Sequence, residues 1–108
     1  MEHQQQLDIL IRSLDLLGSS IEDLEKTLPA FVYDIGEDVI SEFENGFLLL
    51  SQLIENNMLS TGSIVSVLRL NNKVQWCLRN IGEEDFSNEE WNKVRVLAKL
   101  TSQLITKS

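Results

Sequence analysis

EFENGFLLLSQLIENN, residues 42–57, is the stretch whose reading decides the fold. Phe43, Phe47, Leu50 and Ile54 recur at spacings of four, three and four, the period of one helix face, and Leu48, Leu49 and Leu53 widen that face well beyond a stripe. A helix this apolar must be covered from more than one side, so the chain is expected to pack around it. Upstream, Val39 and Ile40 keep the same spacing from Glu37 onward, and Asn56 and Asn57 supply an end. Gly46 falls in the interior, where glycine costs about 1 kcal/mol relative to alanine. One long helix is expected, either bent at Gly46 or admitting a closely packed neighbouring backbone there.

Working outward, Leu7, Leu10, Ile11, Leu14 and Leu17 make an amphipathic face over about 4–17, closed by Gly18. Ser20 as N-cap, with Asp23 three residues on, opens a short helix over about 21–28 carrying Ile21, Leu24 and Leu28. Pro29 forces a boundary and suits the first turn of a third short helix, about 29–35, with Phe31, Val32 and Ile35. Beyond the central run, Ser60 to Ser63 offer a turn and caps. Ile64, Val65, Leu68, Val74, Cys77, Leu78 and Ile81 then keep helical spacing up to Gly82. The β-branched IVSVLRL also fits a strand, but no second alternating run exists to pair with it. Ser87 with Glu90 reads as a capping box, and Phe86 with Trp91 as a hydrophobic staple. A last helix over about 88–105 is expected to turn Trp91, Val94, Leu97, Ala98, Leu104 and Ile105 inward and Lys93, Arg95 and Lys99 outward.

The 108 residues fit one domain, since domains commonly run to roughly 100–150 residues. The expectation is therefore all-α, a single compact bundle of five to six helices over residues 1–108, without repeat or linker. The lone cysteine, Cys77, lies in a helical pattern and reads as a small core residue. MEHQQQLDIL lacks the basic start and apolar run of a signal peptide, and no apolar run reaches the roughly 20 residues that span a bilayer, so a soluble, cytoplasmic protein is expected.

Chemistry is sparse. His3 is the only histidine and sits beside the initiating methionine, which argues against triad catalysis and the usual zinc sites. The carboxylates lack the spacing of a calcium loop, and there is no glycine-rich phosphate loop, so neither enzyme activity nor a cofactor or metal is expected. Arg69, Lys73, Arg79, Lys93, Arg95 and Lys99 are interspersed with acids and do not make a nucleic-acid face. Trp76 and Trp91 read as core residues.

Charge is the informative feature. The net charge is −8, but residues 1–57 hold twelve acids against Arg12 and Lys26, whereas residues 58–108 hold five acids against seven bases. Glu22, Asp23, Glu25, Asp34, Glu37, Asp38, Glu42 and Glu44 crowd into one band and are the candidate partner-binding residues. Such a field repels nucleic acid and anionic membrane and accelerates encounter with a basic protein. It also simply keeps a protein soluble.

Small, acidic, helical proteins without catalytic residues are typical of immunity proteins that neutralise bacterial toxins, including those of contact-dependent growth inhibition. The stretch FENGFLLLSQLIENNMLS resembles the central helix of Maf-type toxin immunity proteins through Glu44, Gly46, Leu53 and Glu55. That resemblance implies a cytoplasmic inhibitor that binds a basic, nuclease-type secreted toxin domain, as a monomer in a 1:1 complex, with carboxylates where the substrate's phosphates would sit. The competing expectation is a small helical adaptor or secretion chaperone holding an amphipathic segment in an apolar groove beside the central helix.

Overall fold

The central run forms two helices rather than one. In the computed structural model, which describes residues 2–27 and 35–107, α3 spans Ile35–Phe47 and α4 spans Leu50–Glu55. The expected helix over 29–35, Asp34 included, lies outside the described residues except for Ile35, which opens α3. At the break, the Leu49 amide donates to the Gly46 carbonyl, three residues back instead of four, and this tightened turn re-phases α4 relative to α3. Leu50 and Leu53 point into the core, while Leu48 is 74 % exposed and Ile54 40 % exposed. An unbroken helix would have put Ile54 on the apolar face with Phe43 and Phe47. Phe47 stays half-buried, its ring 6.1 Å from that of Phe43.

Gly46 itself is the site of a close approach. A Cβ there would lie 2.7 Å from Ser13 Oγ and 3.4 Å from the Leu10 Cα, so α1 (His3–Gly18) crosses α3 at this point. Gly36 is the more constrained of the two, because its Cβ would meet the Glu83 carbonyl oxygen at 2.8 Å and Phe86 at about 3.0 Å. A backbone oxygen cannot rotate away as a serine hydroxyl can. Gly36→Ala should therefore lower stability by about 1–2 kcal/mol, overpacking outweighing the gain in helix propensity, whereas Gly46→Ala should be milder, because the atom its Cβ meets first is the Ser13 hydroxyl. Urea denaturation of these variants checks the difference.

α1 is the central packing element, lying against α3, α4 and α6. Its Leu10, Leu14 and Leu17 are fully buried, with Leu7 and Ile11 packed at the margin. α2 (Ile21–Thr27) starts where expected, the Asp23 amide donating to Ser20 Oγ at 3.1 Å, and it buries Leu24. α5 (Thr61–Asn80) is a helix throughout, which disposes of the strand alternative; Ser60 caps it by accepting from the Ser63 amide. Its buried row is Val67, Leu70, Val74 and Cys77. Val65 and Leu68, expected inside, lie on the other side of the helix and are exposed. Burial pushes the Cys77 thiol above its ordinary pKa, the nearby Lys73 pulling weakly the other way. Cys77 should therefore resist Ellman's reagent in the native protein and react once urea unfolds it.

A short 3-10 turn, Glu83–Asp85, leads to α6 (Glu89–Lys107). The helix starts one residue later than the capping box predicts: the Glu90 amide donates to Asn88 Oδ1 at 2.9 Å. Freed from a capping role, the Glu90 carboxylate accepts from Lys73 at 2.6 Å and from Lys93 at 3.0 Å. These bonds, Lys73's foremost, hold its carboxyl below the usual value, so the bridge is intact at neutral pH and is lost only as pH falls through that lowered pKa. The Phe86–Trp91 contact survives the shift, with ring centroids 5.3 Å apart. Trp91 is fully buried and donates its indole N–H to the Gly82 carbonyl at 2.9 Å.

Three further expectations change. Leu104 is exposed, and Thr101 takes the buried place in its stead, 2.6 Å from Ser66 Oγ. Arg95, expected to face outward, is 8 % exposed. Its Nη1 donates to the Phe86 carbonyl at 2.9 Å, and the guanidinium lies 5.1 Å from the Phe86 ring, so it braces the loop before α6. Trp76, expected in the core, is 39 % exposed, with Lys73 Nζ 4.2 Å from its ring. The result is an all-α bundle without strands among the described residues.

Candidate partner-binding surface

The acids of α3 divide into two rows. Glu37 and Glu44 are seven residues apart and share one side of the helix; Asp38 and Glu42 are four apart and share another. The buried residues Val39, Ile40 and Phe43 take the opposite side, which turns both rows toward solvent, where Glu37, Glu42 and Glu44 are exposed and Asp38 is half-buried. α3 contains no lysine or arginine to offset them. On α2, Glu22, Asp23 and Glu25 are exposed, and Lys26 approaches Glu22 only to 3.9 Å, a surface pair of little energetic weight. Part of this acidity serves the helices themselves, because Glu22, Asp23, Glu37 and Asp38 occupy first turns, where carboxylates interact favourably with the helix dipole.

Tertiary packing brings a third group of acids to the same place. Gly36 lets the start of α3 sit directly on the Glu83 carbonyl and Phe86, forming a recess of about 390 Å³. Ile21, Ile35 and Phe86 supply its apolar lining, with Glu83 and Glu84 at its edge. The first residue of α2, the first turn of α3 and the 3-10 turn thus meet at one end of the bundle. Glu83 and Glu84 belong to the acidic loop GEEDF, recognisable in the sequence as acidic but not as a neighbour of Gly36, 47 positions before Glu83. The contact that unites them is made by a glycine, which carries no charge signal. Asp34 lies outside the described residues, and Glu25, Glu42 and Glu44 stand farther along their helices than the residues lining the recess.

A second groove, about 590 Å³, runs between the end of α1 and α6, with Asp15 and Asp23 on one wall and Arg95 and Lys99 on the other. Its charges offset one another. Among the described residues, no cluster of histidine, cysteine, aspartate and glutamate converges as metal ligands, and no helix is long and apolar enough to cross a membrane. No family model, no curated protein and no solved structure matches the chain.

Proposed function

We propose that the chain is an immunity-type inhibitor that docks a basic, nuclease-type toxin domain on its acidic end. One observation carries this reading: the start of α2, the start of α3 and the 3-10 turn line a single recess with an apolar floor, Glu83 and Glu84 lie in its wall, and the acidic first turns of α2 and α3 begin beside it, a concentration of acidic residues that suits an oppositely charged partner. Glu22, Asp23, Glu37, Asp38, Glu83 and Glu84 are the contact residues nearest that recess, and Glu25, Glu42 and Glu44 extend the surface down the helices.

The test is co-expression with the product of the gene immediately upstream. The two proteins should co-purify at 1:1, and the inhibitor should restore growth to cells producing the toxin domain. A toxin domain that neither binds nor is neutralised would remove the proposal.

The adaptor reading draws on one feature, an apolar notch of about 310 Å³ formed by Phe47, Leu48, Leu50, Ser51 and Ile54 beside the α3–α4 break. It requires a homodimer or a bound amphipathic segment there, which sedimentation of the purified protein would reveal.

A further inference from the structure

Three acids in succession, Glu83, Glu84 and Asp85, form the 3-10 turn, and their mutual repulsion would spread such a segment in water. Two side chains of α6 hold it at both ends. At its entry the Trp91 indole N–H donates to the Gly82 carbonyl, and at its exit Arg95 Nη1 donates to the Phe86 carbonyl, each at 2.9 Å. Trp91 and Arg95 are four residues apart and therefore share one face of the helix. Both lie against the Phe86 ring, the indole with 5.3 Å between ring centroids and the guanidinium carbon 5.1 Å from the centroid. On a third side α3 abuts the turn, where a Cβ on Gly36 would lie 2.8 Å from the Glu83 carbonyl oxygen. The turn itself is closed by Asn88, whose amide donates to the Asp85 carbonyl at 3.0 Å and whose Nδ2 donates to the Asp85 carboxylate at 3.1 Å.

A buried arginine is an unfavourable strut if stability alone is served. Burial holds its pKa below the ordinary value, and the hydrogen bond it makes goes to a main-chain carbonyl, not to a carboxylate that would offset its charge. What it does provide is a fixed place for Phe86, whose side of the turn lines the recess together with Glu83 and Glu84. We propose that Arg95 is a positioning residue for partner docking: from inside the bundle, with Trp91 as its counterpart, it clasps the acidic turn in its docking geometry without touching the partner. This inference rests on the acidic end being the docking surface. A surface already held in its bound shape loses less conformational freedom on association, so it binds more tightly than one that must first be ordered.

Native-state hydrogen exchange of the free, full chain compares wild type, Arg95→Met and Arg95→Lys, with the Asn88 amide as the reporter because it is bonded to the Asp85 carbonyl. Methionine keeps the bulk of the stem without a donor, whereas lysine keeps the charge and a donor. Arg95→Met should speed Asn88 exchange about 10-fold or more, the loss of one hydrogen bond from a charged donor. That rate should not change in about 1 M urea, the mark of a local opening. Arg95→Lys should stay close to wild type. Affinity for the toxin domain isolated by co-expression should fall about 5-fold or more in Arg95→Met and little in Arg95→Lys. Trp91→Phe, which releases the Gly82 end and retains a ring, should speed the same amide, and it carries the test if Arg95→Met does not fold. The proposal is overturned if Asn88 exchange is unchanged in Arg95→Met, or if the methionine and lysine variants behave alike. It is equally overturned if exchange rises with urea in step with the core amides of Leu14 and Val74, or if a loosened turn binds the toxin domain as tightly as wild type does. Should no toxin domain bind the wild type, the proposed function falls, while the exchange data still decide the clasp.

Discussion

Replacing Trp91 with alanine should lower stability by about 3–5 kcal/mol, a large share of the roughly 5–15 kcal/mol available to a domain of this kind. Two losses combine. The indole is fully buried against Phe86, so its removal leaves a cavity between the 3-10 turn and α6, and the Gly82 carbonyl loses the N–H it accepts. Trp91→Phe separates the terms: most of the packing remains, the hydrogen bond does not, and its net worth is about 1 kcal/mol. Trp76→Ala is the informative contrast, because that ring is 39 % exposed and borders solvent. It should cost well under half as much. Urea denaturation of the three variants measures these differences, and equal costs for the two alanine substitutions would contradict the placement of both rings.

The second large effect concerns binding. Reversing Glu37, Asp38, Glu42 and Glu44 together to lysine should reduce affinity for the basic partner by at least about 1,000-fold, since close charge pairs across such interfaces have coupling energies of about 1.5–7 kcal/mol. The fold should survive, because these side chains point away from Val39, Ile40 and Phe43. Some stability should be lost through the first-turn positions Glu37 and Asp38, where each carboxylate contributes about 0.3–1 kcal/mol with the helix dipole. The pair Glu42 and Glu44 lies beyond the first turn, so its reversal tests binding with little structural cost. Raising the salt concentration should slow association of the wild type and leave the reversed variant nearly indifferent. Unchanged affinity in the quadruple variant would show that these acids serve only solubility and the helix ends.

How much of the molecule is legible in the sequence depends on the range of each interaction. The buried rows of α1, the Ser20 cap and the Ser60 cap depend on residues within one or two turns, and local spacing reveals them. The break at Leu48 and Leu49 does not announce itself, because no proline or glycine occupies those positions. Gly46 signals an irregularity, but what it provides is room for Ser13 and Leu10 of α1. Arg95 escapes a local reading for a similar reason: its acceptor is a carbonyl nine residues back, reached around the loop, and side-chain charge alone argues for solvent. The acidic band is legible in α2 and α3. The share contributed by Glu83 and Glu84 is not, since it depends on Gly36 seating α3 against the 3-10 turn.

The most direct test of the acidic end as the partner-binding surface is an NMR titration of the isotope-labelled protein with its partner toxin domain. Amide shifts should concentrate at Ile21–Asp23, Ile35–Glu44 and Glu83–Ser87, with α5 and the second half of α6 unmoved. Shifts confined to Trp76, Leu100 and Leu104, or to Leu48 and Ile54, would contradict it.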